Sequence, residues 1–208
     1  MKNLKRKILI VICIILAFTL VSCNSKKGEN KQVQKNIKIT DSYGKELTFE
    51  KLPERIVSLS PGATETIYAL NKENTLVGRS DFDDYPAAVS KVKSVGGVKD
   101  PSIEKITELK PDLVIGGAHF SKDTAKKLED LGIKVAVLYG SEDLDGAYKN
   151  IMDISTILGV TEKGQTIVDG MKKKVESVKN KVKSLNKPKV YYMVDFGKQI
   201  LLLEEILL

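Results

Sequence analysis

Thiols and imidazoles are nearly missing from this chain. The two cysteines, Cys13 and Cys23, both fall within the first 23 of 208 residues. Everything after them is thiol-free, which excludes disulfides and cysteine-held metal sites from the folded body. His119 is the one histidine. Zinc and manganese sites draw on several histidine and carboxylate ligands at once, so no metal site is expected and capture of a bare divalent ion is a poor fit. Catalytic signatures are missing too: there is no Gly-x-Ser-x-Gly elbow, no Gly-x-x-x-x-Gly-Lys phosphate loop, and Gly96-Gly97 is not a dinucleotide fingerprint after a strand. An enzyme would have to assemble a hydrolytic or transfer site around His119 with Ser60 or Asp84. No catalytic residue and no cofactor are assigned on this reading.

The formal net charge is +7, but residues 1–22 carry four of the 34 basic residues and none of the 27 acidic ones, leaving 30 against 27, or +3, from Cys23 onward. The remaining lysines are interleaved with glutamate and aspartate, so a nucleic-acid partner is not expected. Arginine is scarce as well, with only Arg55 and Arg79 beyond the leader.

Lys2, Lys5, Arg6 and Lys7 precede an apolar run from Ile8 to Leu20 that leads into Leu20-Val21-Ser22-Cys23. A basic head, about 7–15 apolar residues and a small-residue cleavage site make a secretory signal, whereas a membrane-spanning helix needs about 20. The Leu-Val-Ser-Cys run is similar to the bacterial lipobox. Residues 1–22 are therefore expected to be a lipoprotein signal peptide and Cys23 the acylated first residue of the mature chain, the alternatives being an uncleaved membrane helix or an incidental cysteine. Residues 23–36 then read as lipidated cysteine and tether, because the stretch after Cys23 is rich in Lys, Asn and Gln and has one strongly apolar residue, Val33. Such a tether spans about 20 Å. Two acyl chains anchor stably where one is marginal, which places the body outside the cell, held to the bilayer through Cys23.

Ile37 and Ile39, then Leu47 and Phe49, alternate around Asp41-Ser42-Tyr43-Gly44-Lys45 and predict a β-hairpin. Beyond it, strands are expected over 55–60, 76–80, 112–116 and 134–138, with helices over 64–70, 102–109, 122–131 and 143–158. Alternating strand and helix argue for an α/β, doubly wound parallel-sheet lobe, here residues 37–160, whose ligands sit at the carboxyl ends of the strands. Ile167, Met171, Val175, Val178, Val182 and Leu185 then form one apolar stripe on a helix of about 25 residues, nearly 38 Å long. A coiled coil would give the same stripe. Asn186-Lys187-Pro188 stops the helix, however, and Lys189 to Val194 starts a new strand, so residues 161–187 read as a strut between two α/β units, the second beginning at residue 188.

The run RIVSLSPGATETIYAL, the tripeptide Asp84-Tyr85-Pro86, the block VGGVKDPSIEKITELKPDLVIGG and the long helix before PKVYYMVDFG resemble the class III substrate-binding lipoproteins of ABC importers. The resemblance covers Ile37 to about Gly197. It implies two lobes joined by one rigid helix, a ligand held between them, and delivery of an iron(III)-siderophore, haem or cobalamin to a membrane permease, without catalysis. The ligand would be an organic metal chelate. Carried over residue by residue, Pro61, Gly62, Ala63, Phe82, Val98, His119 and Phe120 would line the first lobe's face.

Corrins and porphyrins want aromatic and aliphatic walls, which Phe82 and Phe120 would supply unless they merely pack their loops. His119 would be an axial ligand or hydrogen-bond donor, or a solvated side chain. Arg79 would fork onto an anionic chelate, or pair with Asp81, Asp83 or Asp84. Glu104 matches the family's permease-docking glutamate, and its place in the first turn of a helix would also suit a dipole-capping role.

After Val194-Asp195-Phe196-Gly197 the chain departs from the family: seven of its last nine residues are Leu or Ile, where about another 100 residues of second lobe would be expected. A frame slip or early truncation would explain this. The competing reading is a single-lobe surface lipoprotein that serves as an interaction module without transport. Either way, an apolar flank of the long helix would be left uncovered.

Overall fold

The computed structural model describes residues 36–140 and 143–189. The signal sequence, Cys23, nearly all of the tether, the strand expected to continue past Lys189 and the Leu/Ile tail lie outside these residues. Strand β1 (Ile37–Thr40) pairs antiparallel with β2 (Glu46–Phe49) in the hairpin the alternation predicts, Ile37 opposite Phe49 and Thr40 opposite Glu46. Then follow β3 (Ile56–Leu59), α1 (Pro61–Ala69), β4 (Leu76–Arg79), α2 (Ile103–Glu108), β5 (Leu113–Gly116), α3 (Lys122–Asp130), β6 (Lys134–Val137), α4 (Leu144–Ile157) and α5 (Thr161–Val182).

Strands β4-β3-β5-β6 lie side by side in that order, all parallel, as one four-stranded sheet. Every residue of β3 and β5 is buried. Alternation sorts their side chains to two covered faces. Ile56, Leu113, Ile115 and Ala136 meet α1, α4 and the hairpin, whereas Val57, Leu59, Val114, Val135 and Val137 meet α2 and α3. Each such Val, Leu or Ile side chain contributes about 1.5–3 kcal/mol on burial. A near-continuous apolar strand sandwiched between helices is what a parallel sheet requires, and the doubly wound expectation holds.

Local chemistry sets the helix ends. The Ser102, Ser121 and Asp143 side chains accept the amide N–H groups of Lys105, Thr124 and Gly146, capping α2, α3 and α4. Helix α1 begins at Pro61, three residues before the predicted start, because proline at the first helical position has its φ preset and no N–H to satisfy. Arg55 ties the sheet's lower edge: Nη2 donates to Leu109 O at 2.6 Å, while Asp112 accepts the Glu54 and Arg55 amides.

The hairpin forms its own sheet and clasps the end of β6. Ser42 N donates to Val137 O at 2.8 Å, and Tyr139 N donates to Ser42 Oγ at 2.8 Å. Helix α5 packs on α4 through Gly164 and Val168, after which the stripe emerges: Ile167, Met171 and Val175 are half-buried, and Val178, Val182 and Leu185 are exposed. The uncovered flank expected from the sequence is thus present. Among the described residues, no helix is long and apolar enough to cross a membrane.

Candidate functional site

From β3 the chain crosses to β4 on one side and later returns to β5 on the other, so the loops leaving β3 and β5 diverge from a switch point. Ser60 and Gly117 meet there. A Cβ built on Gly117 would lie 3.0 Å from Ser60 Oγ, so this approach suits glycine. The loop after β4 joins the same end of the sheet. Asp81 N donates to Gly96 O at 2.9 Å, and the Phe82 ring passes within 3.9 Å of where a Gly97 Cβ would stand. The segments Pro61-Gly62, Phe82, Gly97-Val98 and Ala118-His119 therefore all lie in or beside the loops at the carboxyl end of the sheet.

Phe82 there is 63% exposed, and Tyr85, three residues further along the same loop, is 66% exposed. Tyr85, read in the sequence only as part of a tripeptide, is a second exposed aromatic of that loop. His119 is exposed and makes no hydrogen bond or ion pair to another described residue. Pro61 and Val98 are half-buried, and Gly62 is open to solvent.

Two expected wall residues are not on the face. Phe120 is 2% exposed and belongs to the cluster formed by Val57, Leu59, Val114 and Leu128, its ring lying against Gly116. The turn in which Phe120 N donates to Gly117 O swings it inward, so it packs the core and leaves the wall to Phe82. Ala63 is also buried, on the inner side of the first turn of α1 with Ile67 and Leu70. Arg79 does not form the ion pair with Asp81, Asp83 or Asp84 that was its alternative reading. Nη1 donates to Ser80 O at 2.7 Å, Nε is buried without an acceptor, and no carboxylate of the described residues lies within ion-pair distance.

Beneath Phe82, Asp83 is 3% exposed. Its Oδ2 accepts the Ser80 N–H at 2.6 Å, and the Ser80 Oγ accepts the Phe82 N–H at 3.3 Å. Burial pushes the Asp83 carboxyl above the usual carboxylate range, against the opposing pull of Ser80, Thr64 and the Arg79 charge. Glu104 is exposed in the first turn of α2, where Ser102 already caps the helix, and it makes no ion pair among the described residues. Among those residues no group of three His, Cys, Asp or Glu side chains is placed to hold a metal. A groove of about 280 Å³ lies elsewhere, between the hairpin turn and α3. Its cations are already engaged: Lys45 with Glu129, Lys126 with Asp130, and Lys122 over the Tyr43 ring.

Residues 56–204 match the periplasmic binding protein family. The chain belongs to that family. It is 32% identical over 183 residues to an uncharacterised ABC transporter substrate-binding lipoprotein of Bacillus subtilis (strain 168), covering 84% of this chain and 58% of that protein. The crystal structure of the periplasmic vitamin B12 binding protein of Vibrio cholerae superimposes with a TM-score of 0.57 at 32% identity, over 64% of this chain and 52% of that one. A periplasmic haem-binding protein of Pseudomonas aeruginosa gives a TM-score of 0.61 at 26% identity, over 64% of this chain and 48% of that one. The chain thus spans about half the length of the relatives it matches. As a periplasmic binding protein it has the α/β fold of these structures, and the relatives are named for binding, not for catalysis.

Proposed function

We propose that this chain is the substrate-binding component of an ABC importer, outside the cytoplasm and held to the membrane by lipid on Cys23, that captures an iron(III) chelate, haem or cobalamin and hands it to a permease. The observation that carries the reading is the pair of exposed aromatics, Phe82 and Tyr85, in the loop after β4 at the carboxyl end of the sheet, where the loop after β5 also carries the exposed His119. Aromatic planes that water would rather see covered suit a flat, largely apolar macrocycle, and an open face suits one wall of a cleft. Pro61, Gly62 and Val98 complete the wall, His119 is its one group able to bind a metal centre axially, and Glu104 is the carboxylate offered to the permease. Arg79 retains a secondary part, with one arm of its guanidinium already engaged. The chain is not an enzyme on this reading.

The test is a spectral titration of the full chain with hemin, cyanocobalamin and a ferric hydroxamate. One of them is expected to give a saturable, stoichiometric shift. Replacing Phe82 with alanine is expected to weaken that binding about 10–100-fold, the equivalent of removing one well-covered aromatic, while leaving the unfolding free energy within about 0.5 kcal/mol. Absence of any shift from a folded sample would instead favour the single-lobe interaction module, for which the uncovered stripe of α5 is the supporting feature.

A further inference from the structure

We propose that Asp83 is a positioning residue: its buried carboxyl holds the Ser80–Asp83 turn against the first turn of α1 and thereby fixes where Phe82 stands on the ligand face. The inference rests on the reading of that face as the ligand wall. Oδ2 takes the Ser80 amide at 2.6 Å, Asp83 N reaches back to Ser80 O at 3.4 Å, and the intervening Phe82 amide is held by Ser80 Oγ at 3.3 Å. With its backbone pinned at both ends, the turn pushes the Phe82 side chain outward. The second carboxyl oxygen, Oδ1, and the hydroxyl of Thr64 in α1 are both buried without a good hydrogen bond, and Thr64 is fully buried. The Thr64 hydroxyl is the α1 group that bears on Asp83, favouring its ionised form. One buried acid thus couples the loop after β4 to the helix that follows Pro61-Gly62, the other half of the wall.

The coupling carries a proton dependence. Arg79, on β4, is the charged group acting on Asp83, and the carboxylates of Asp81 and Asp84 in the same loop are exposed. Burial outweighs Arg79 and the hydroxyls, so the folded carboxyl holds its proton above the ordinary value of 3.8. The sign follows from linkage. A raised acid stabilises the closed turn fully below the open-state value, and that contribution is lost as pH rises through the raised value. The neutral acid, which burial favours, is the tighter pin, its Oδ2 accepting from the Ser80 amide. Ionisation loosens it, and asparagine mimics the tight form.

The experiment uses the full chain with ring-labelled ¹³C phenylalanine, five residues in all, the Phe82 signal being assigned by its loss in Phe82→Leu. It is combined with amide-exchange protection factors for residues 80–85 between pH 4 and 8. In the parent the Phe82 signal and the protection factors titrate together, with a midpoint above 3.8, protection falling as pH rises. In Asp83→Asn both are flat, and protection at pH 7 is at least as high as in the parent. In Asp83→Ala protection is at least tenfold lower throughout. Thr64→Val, which removes a hydroxyl that favours the ionised acid, moves the midpoint upward, and this variant decides the matter should Asp83→Ala fail to fold. A Phe82 titration that persists in Asp83→Asn, or a midpoint unmoved in Thr64→Val, overturns the proposal. If hemin or cyanocobalamin binds, the affinity follows the same titration in the parent and is flat in Asp83→Asn. Should the parent bind neither, the ligand reading falls, while the loop titration still decides the role of Asp83.

Discussion

Replacing Phe120 with alanine is expected to lower the unfolding free energy by about 3–5 kcal/mol, the usual cost of emptying a buried aromatic site. The ring is enclosed by Val57, Leu59, Val114, Ala125 and Leu128, and rests on Gly116 so closely that a Cβ there would come within 2.5 Å of it. Such a site cannot collapse around the lost volume, because strands β3 and β5 form its floor and their register is fixed by hydrogen bonds to both neighbours. The backbone anchor survives the substitution, since Tyr43 donates its hydroxyl to the Phe120 carbonyl oxygen at 2.6 Å and not to the ring. The loss is therefore one of packing alone. Equilibrium urea unfolding followed by circular dichroism measures it, with the slope unchanged and the midpoint lowered. A shift below about 1 kcal/mol would place the ring outside the core. Together with Phe82→Ala, the substitution separates two aromatics 38 positions apart that the bare sequence presents alike: one is buried, the other exposed.

The second large effect is expected at Asp41, a buried carboxylate 6% exposed at the hairpin turn. Oδ1 accepts the amides of Tyr43 and Lys45, each at 2.9 Å, and Oδ2 accepts the amide of Val137 at 3.3 Å. Alanine would strand three donors in or near the interior. A hydrogen bond to a charged group contributes about 1.5–3 kcal/mol, and partial access of water to the turn recovers some of that, so a loss of about 2–4 kcal/mol is expected. Asparagine, which keeps one acceptor oxygen, should lose roughly half as much on the same scale. Urea unfolding gives the total, and amide exchange at Val137 and Tyr43 shows where it arises. Unchanged protection at Val137 in Asp41→Ala would mean that the turn is not clasped to β6 through this side chain.

Much of the architecture was legible because it rests on period. Ile37, Ile39, Leu47 and Phe49 alternate as a one-sided hairpin must, and Ile56 to Leu59, broken only by Ser58, and Leu113 to Gly116 are near-continuous apolar runs, as strands covered on both faces must be. The apolar stripe of α5 was equally plain, including the part left bare. The order of the strands was not readable, since right-handed crossovers fix handedness but not the side on which β4 lies. Nor was the inward turn of Phe120, because an aromatic after Gly-Gly-Ala-His carries the same signal whether it lines a cleft or fills a core. Asp83 gave no sign at all. It sits between Asp81 and Asp84, both exposed, and only the third dimension tells the one dry carboxylate from its solvated neighbours. For Arg79 the sequence offered acidic neighbours in plenty, yet the guanidinium turned to a main-chain oxygen.

The clasp between the hairpin and β6 bears on the order in which the molecule comes into being. Ser42 and Tyr139, which it joins, are separated by 97 positions. At ribosomal speeds of about 5–20 residues per second, the earlier of the two waits about 5–20 s for the later to be made. A lone two-stranded ribbon is marginal in water, so the segment synthesised first spends that interval unsecured and is among the last to be locked in place.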